Sequence, residues 1–92
     1  MKMRYEVDLR GVRTREDMHS ALKRDLHLPG YYGMNMDALW DCLMEMETPC
    51  EICLLGMAEM GEMLSESLRW TLKEAAEELA LHGREMKIAE EN

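Results

Sequence analysis

Phenylalanine is missing from the 92 residues, and the aromatic set is only two tryptophans and three tyrosines. No run approaches the roughly 20 apolar residues that a membrane-spanning helix requires. The opening residues Met1, Lys2, Met3, Arg4, Tyr5 and Glu6 bring in charges at once, so the apolar centre of a secretory signal is missing too. These absences, with 47% hydrophobic and 33% charged residues, lead to the expectation of a soluble, cytoplasmic chain with no membrane association. A chain this long buries about 60 to 65% of its unfolded surface around one core, so one domain over residues 1–92 is expected.

Cysteine is sparse and odd in number: Cys42, Cys50 and Cys53 suit free thiols in a reducing compartment rather than a disulfide framework. Cys50 and Cys53 have the spacing of a redox or zinc motif. They lie, however, in a short apolar run with the pattern of a strand, where positions three apart face opposite sides. No second pair and no nearby histidine completes four ligands. Both thiols are expected to pack in the interior, with no metal and no cofactor.

Basic side chains are missing from a long internal stretch. Residues 25–68 hold no lysine or arginine and nine acidic residues, whereas 1–24 carry seven basic and four acidic, and 69–92 four basic and six acidic. The three segments thus contribute +3, −9 and −2 to the net charge of −8. Affinity for phosphate backbones comes from lysine and arginine, so nucleic acid is not expected as a direct partner. A surface of one sign steers a basic partner and repels polyanions. An ordinary solvated acidic face would produce the same count.

Met3, Tyr5, Val7 and Leu9 alternate with Lys2, Arg4, Glu6 and Asp8, the period-two pattern of a strand buried on one face. Thr14 with Asp17 resembles a capping box, and Met18, Ala21, Leu22 and Leu26 follow at helical spacing until Pro29-Gly30 breaks the pattern. Asn35 is suited to cap a second helix with Leu39, Cys42, Leu43 and Met46 inward, closed by Pro49. Residues 50–55 form a buried strand, and 56–63 a loop or short helical turn. A longer helix is predicted from near Ser65, with Leu68, Leu72, Ala75, Ala76 and Leu79 inward and Gly83 as its stop. Met86 and Ile88 alternate with charges in a last strand. Strands separated by helices favour an α/β fold with a parallel sheet.

The segment from Tyr31 to Asp41 carries the densest chemistry. Asp37 and Asp41 stand i, i+4 on one helix, so their carboxylates share the face opposite Leu39 and Leu43. Asp37 lies in the first turn, where the helix dipole offsets part of the mutual repulsion; Asp41 lies a turn beyond that help. Trp40 adjoins Asp41, and Tyr31 and Tyr32 precede the cap in a glycine-containing loop. Aromatic anchors beside charges make a binding patch. The same residues are also consistent with Trp40 and one tyrosine packing inward while the aspartates merely solvate the surface.

Here a family resemblance enters. Asp17-Met18-His19, Leu22 to Leu26, Leu28-Pro29, Tyr31-Tyr32-Gly33, Asn35 and Asp37 through Leu43 together resemble the characteristic segment of the barstar family. The resemblance is close over residues 17–43 and elsewhere extends to the order and length of elements. It implies a three-stranded parallel sheet packed with helices, and inhibition of a small, basic, guanyl-preferring secreted ribonuclease inside the producing cell. The contact positions it implies are Tyr31, Gly33, Asn35, Asp37, Trp40 and Asp41, with Glu78 on the later helix. Asp41 would stand in for a substrate phosphate, and Asp37 would meet further basic groups. Tyr31 would pack near the nuclease's histidine, while Gly33 and Trp40 would act through backbone and shape. The free chain would be a monomer.

Two positions depart from the family pattern: Met46 replaces a tryptophan, and His82 replaces an acid before the helix-ending glycine. They leave room for an immunity or regulatory module of the same fold directed at a different toxin or basic protein. Met34, Met36, Met44 and Met46 surround the patch, and gap-filling in a core without phenylalanine is their expected use. His19, His27 and His82 are scattered over two helices and a loop, and the paired aspartates have no candidate nucleophile, so no enzyme is expected.

Overall fold

A computed structural model describes residues 2–91. The alternation at the start of the chain produces β1 (Met3–Asp8), and the two later apolar runs produce β2 (Cys50–Leu55) and β3 (Met86–Glu91). The strands pair in the order β1-β2-β3, both pairs parallel, with Tyr5 beside Ile52 and Ile52 beside Ile88. Parallel neighbours need crossovers, and helices supply them. These are α1 (Arg15–Asp25) and α2 (Met36–Met44) between β1 and β2, and α3 (Glu62–Leu81) between β2 and β3.

One face of the sheet offers Val7, Cys50, Ile52, Leu54 and Met86 to a core shared with Met18 and Leu22 of α1, Leu39 and Leu43 of α2, and Leu68, Leu72 and Leu79 of α3. Burying each leucine contributes about 1.5–3 kcal/mol, so the three helical stripes hold the layers together. Parallel sheets are usually covered by helices on both faces. Here the second face carries charge instead: Arg4 bonds Glu6 at 2.9 Å and approaches Glu51 and Glu91 at 3.6 and 3.5 Å. Cys53 is buried on that side, its thiol donating to Glu91 Oε2 at 2.8 Å, and this bond together with burial pushes the thiol up to about 11. Cys50 lies in the core, so the two thiols occupy opposite faces.

The helix boundaries follow local chemistry with two departures from expectation. Thr14 Oγ1 accepts from the Asp17 N–H at 3.0 Å, and Asn35 Oδ1 from the Ala38 N–H at 2.8 Å, so both N-caps form. The second helix ends at Met44, before Met46, which is buried beyond the helix. The helix placed near Ser65 starts at Glu62, after a 3-10 turn at Met57–Met60. Gly61, at φ +90°, makes the entry, and the Ser65 hydroxyl donates back to Glu62 O at 3.1 Å from inside the first turn. At the other end Gly83 takes φ +72°, and the Arg84 N–H reaches back to Leu79 O at 2.9 Å.

Arg84 then serves a second purpose. Its guanidinium donates to Met44 O at 2.7 Å, Met46 O at 2.6 Å and Thr48 Oγ1 at 3.3 Å. Carbonyls left over at the end of α2 are thereby satisfied, and the acidic helix is tied to the start of β3. Among the described residues no helix is long and apolar enough to cross a membrane.

Candidate functional site

The loop entering α2 is held from inside. Tyr32 is buried, and its hydroxyl lies 2.6 Å from Nδ1 of the fully buried His19. Burial raises the Tyr32 phenol far above its ordinary range; burial, and then the charge of Arg15, holds the His19 imidazole below its own. Both groups are thus held toward their neutral forms, with one proton in the bond between the Tyr32 hydroxyl and His19 Nδ1, and among the described residues His19 Nε2 has no partner. With Tyr32 turned inward, Tyr31 is left outward and is 84% exposed.

Gly33 sits against the cap. A Cβ there would lie 3.2 Å from Asn35 Nδ2 and 3.3 Å from Ala38 Cβ, so any side chain would press on the residues that start α2. Asn35 Nδ2 itself donates to Gly33 O at 3.0 Å, which fixes the loop and the helix start as one unit. From this rigid base α2 turns Leu39 and Leu43 into the core and leaves Asp37 and Asp41 exposed on the other side.

Five of the seven candidate positions fall into two neighbouring clefts. Asp41 lines a cleft of about 260 Å³ together with Tyr31, Gly33 and Glu45. Asp37 and Asn35 line a second, of about 250 Å³, with Arg15 and His19. Trp40 is half-buried and packs against the core, so it shapes α2 from behind rather than standing free as an anchor. Glu78 lines neither cleft; its carboxylate lies 3.3 Å from His82 Nε2 one turn further along α3. Met34, Met36 and Met44 are half-buried against the core, the gap-filling role expected of them.

Two participants were not singled out from sequence: Glu45 adds an acid to the Asp41 cleft, and Arg15 adds a cation to the Asp37 cleft. Of the two tyrosines in the patch, Tyr32 is the one that packs inward, and it anchors the loop. The Thr14 cap places Arg15 first in α1, but its approach to Asp37 comes from the packing of two helices and has no local signal. Glu45 sits i+4 from Asp41 and continues the same acidic line.

Carboxylates at Asp37, Asp41 and Glu45 accept hydrogen bonds and present a negative field to anything approaching the α2 face. Among the described residues no group of three or more histidine, cysteine or acidic side chains could hold a metal ion. The geometry is that of an exposed acidic face, flanked by two clefts, on a small α/β domain. Comparison with known proteins fixes the family. The family model for barstar, the barnase inhibitor, matches residues 3–90, and the chain belongs to the barstar family. A relative in Bacillus subtilis (strain 168), carrying the name "Putative ribonuclease inhibitor YrdF", is 51% identical over 37 residues. That stretch covers 40% of this chain and 41% of the relative.

Proposed function

We propose that this chain is a cytoplasmic inhibitor of a small, basic, guanyl-preferring ribonuclease, binding as a single-domain monomer and closing the enzyme's RNA groove with carboxylates. The observation that carries the reading is the pairing of Asp41 with the exposed ring of Tyr31 in one cleft, within a segment that has no basic side chain from residue 25 to 68. Family membership and the name of the Bacillus relative point the same way.

In this reading Asp41 takes the place of a substrate phosphate against the nuclease's arginines and histidine, and charge-assisted hydrogen bonds give the contact its strength. Tyr31 packs its ring on the same region. Gly33 and Asn35 bring backbone and amide close to the partner, and Asp37 meets further cations in the adjoining cleft. Trp40 supports the shape of α2. Glu78 exchanges His82 for a cation of the nuclease at the edge of the contact.

The reading is tested by titrating the chain into a barnase assay. The expected result is loss of RNA hydrolysis that reaches completion near one inhibitor per enzyme. Full activity at a tenfold molar excess would contradict it.

A further inference from the structure

A further cleft lies outside the aspartate pair. It is a groove of about 550 Å³ between the start of β1 and the end of α2. Met3, Tyr5 and Leu28 line its walls, the buried Met46 lies at its base, and Glu45 and Glu47 stand exposed at its rim. Among the described residues no lysine or arginine lines it.

The groove runs beside a free strand edge. Met3 N–H donates to Pro49 O at 3.2 Å and Leu9 N–H to Leu55 O at 2.9 Å, so the odd-numbered residues of β1 point their N–H groups at β2. The even-numbered ones point away. The Asp8 N–H is met by Asp25 Oδ2 at 2.9 Å, but among the described residues no strand lies beyond Arg4 and Glu6. The side chains of Arg4 and Glu6 are engaged on the opposite face of the sheet, whereas those of Met3 and Tyr5 face the groove. An extended segment added to this edge would bond to the Arg4 and Glu6 backbone and drop every second side chain into the groove.

We infer that this edge and groove form a second docking surface, for an extended segment of a basic protein partner whose groove-facing residues, every second position, include both apolar side chains and lysine or arginine. The apolar residues fill the space above Met46, and the cations meet Glu45 and Glu47. The groove shares Tyr31 and Glu45 with the Asp41 cleft, so one partner can occupy both at once. The site does not depend on the partner being a ribonuclease.

The test uses the whole chain and a capped heptapeptide with leucine, lysine and leucine at positions 2, 4 and 6 and serine at the others, followed by methionine-methyl NMR. Met3 and Met46 report the groove, and Met63, 86% exposed on α3, reports non-specific binding. Expected are saturable shifts of Met3 and Met46 below about 1 mM peptide, with Met63 unmoved, and slowed amide exchange at Arg4 and Glu6. Glu47→Lys should weaken binding at least about tenfold and Asp41→Asn less than about twofold. Equal binding of the same peptide with glutamate for lysine, no saturable shift, or shifts that follow protein concentration without peptide would each overturn the proposal, the last by making a second copy the occupant. Because Asp41→Asn serves as the contrast, failure here leaves inhibition through the aspartate cleft standing, and the reverse also holds.

Discussion

The hydroxyl of Tyr32 lies 2.6 Å from Nδ1 of His19, and this one buried bond ties α1 to the loop that displays Tyr31. Removing the hydroxyl strands a buried ring nitrogen. Tyr32→Phe should therefore lower unfolding free energy by about 1–3 kcal/mol in urea titration. It should also weaken partner binding, because the loop entering α2 loses its inner anchor.

Acid should act through the same pair. The folded chain holds the His19 imidazole below its ordinary value, so the unfolded chain takes up the proton first as pH falls. The stabilisation is complete above the ordinary histidine value near ~6.5 and is lost as pH drops from there toward the lower folded value. Asp8, held at about 2 chiefly by the Arg10 side chain, loses its contribution only further down, between its ordinary value near ~4 and about 2. Denaturation midpoints measured from about pH 7 to 5 should fall for the wild type and fall less steeply for His19→Gln. Parallel slopes would remove His19 from the account.

Arg84 offers a further prediction of stability. Its three donors close off Met44 O, Met46 O and Thr48 Oγ1. Hydrogen bonds to charged groups contribute about 1.5–3 kcal/mol, so Arg84→Ala should destabilise by at least about 2 kcal/mol in urea unfolding. Arg84→Lys should recover less than half of that, because an ammonium cannot span the two carbonyls as the planar fork does.

Much of this molecule was legible because its signals are local. Thr14, Asn35 and Gly83 mark helix ends by chemistry within four residues, and the β1 alternation fixes which face is buried. The helix predicted from near Ser65 begins three residues earlier, at Glu62, because Gly61 opens it and the Ser65 hydroxyl bonds back to Glu62 O inside the first turn. The i, i+4 spacing of Asp37 and Asp41 placed them on one face. It could not show that they line separate clefts, since Tyr31 and Arg15 reach them from other elements. The His19–Tyr32 bond, the Cys53–Glu91 bond and the groove under Glu47 all join residues distant in sequence.

Steering should be visible in kinetics. On the proposed reading, the exposed acids of α2 and the net charge of −8 draw a cationic enzyme toward the face before contact. The association rate with barnase should fall steeply as salt rises from about 50 to 500 mM, while the dissociation rate changes little. Stopped-flow mixing checks this, and an association rate independent of salt would mean that the negative field does not guide the encounter.

The central claim is that the Asp41 carboxylate occupies a phosphate position on the enzyme. Its most direct measurement is the dissociation constant of the barnase complex for wild type and Asp41→Ala, with folding of the variant checked by its melting curve. A loss of at least about 2 kcal/mol, roughly thirtyfold, with an unchanged melting curve is the predicted result. A loss below about 1 kcal/mol would place Asp41 outside the energetic centre of the contact and contradict the account.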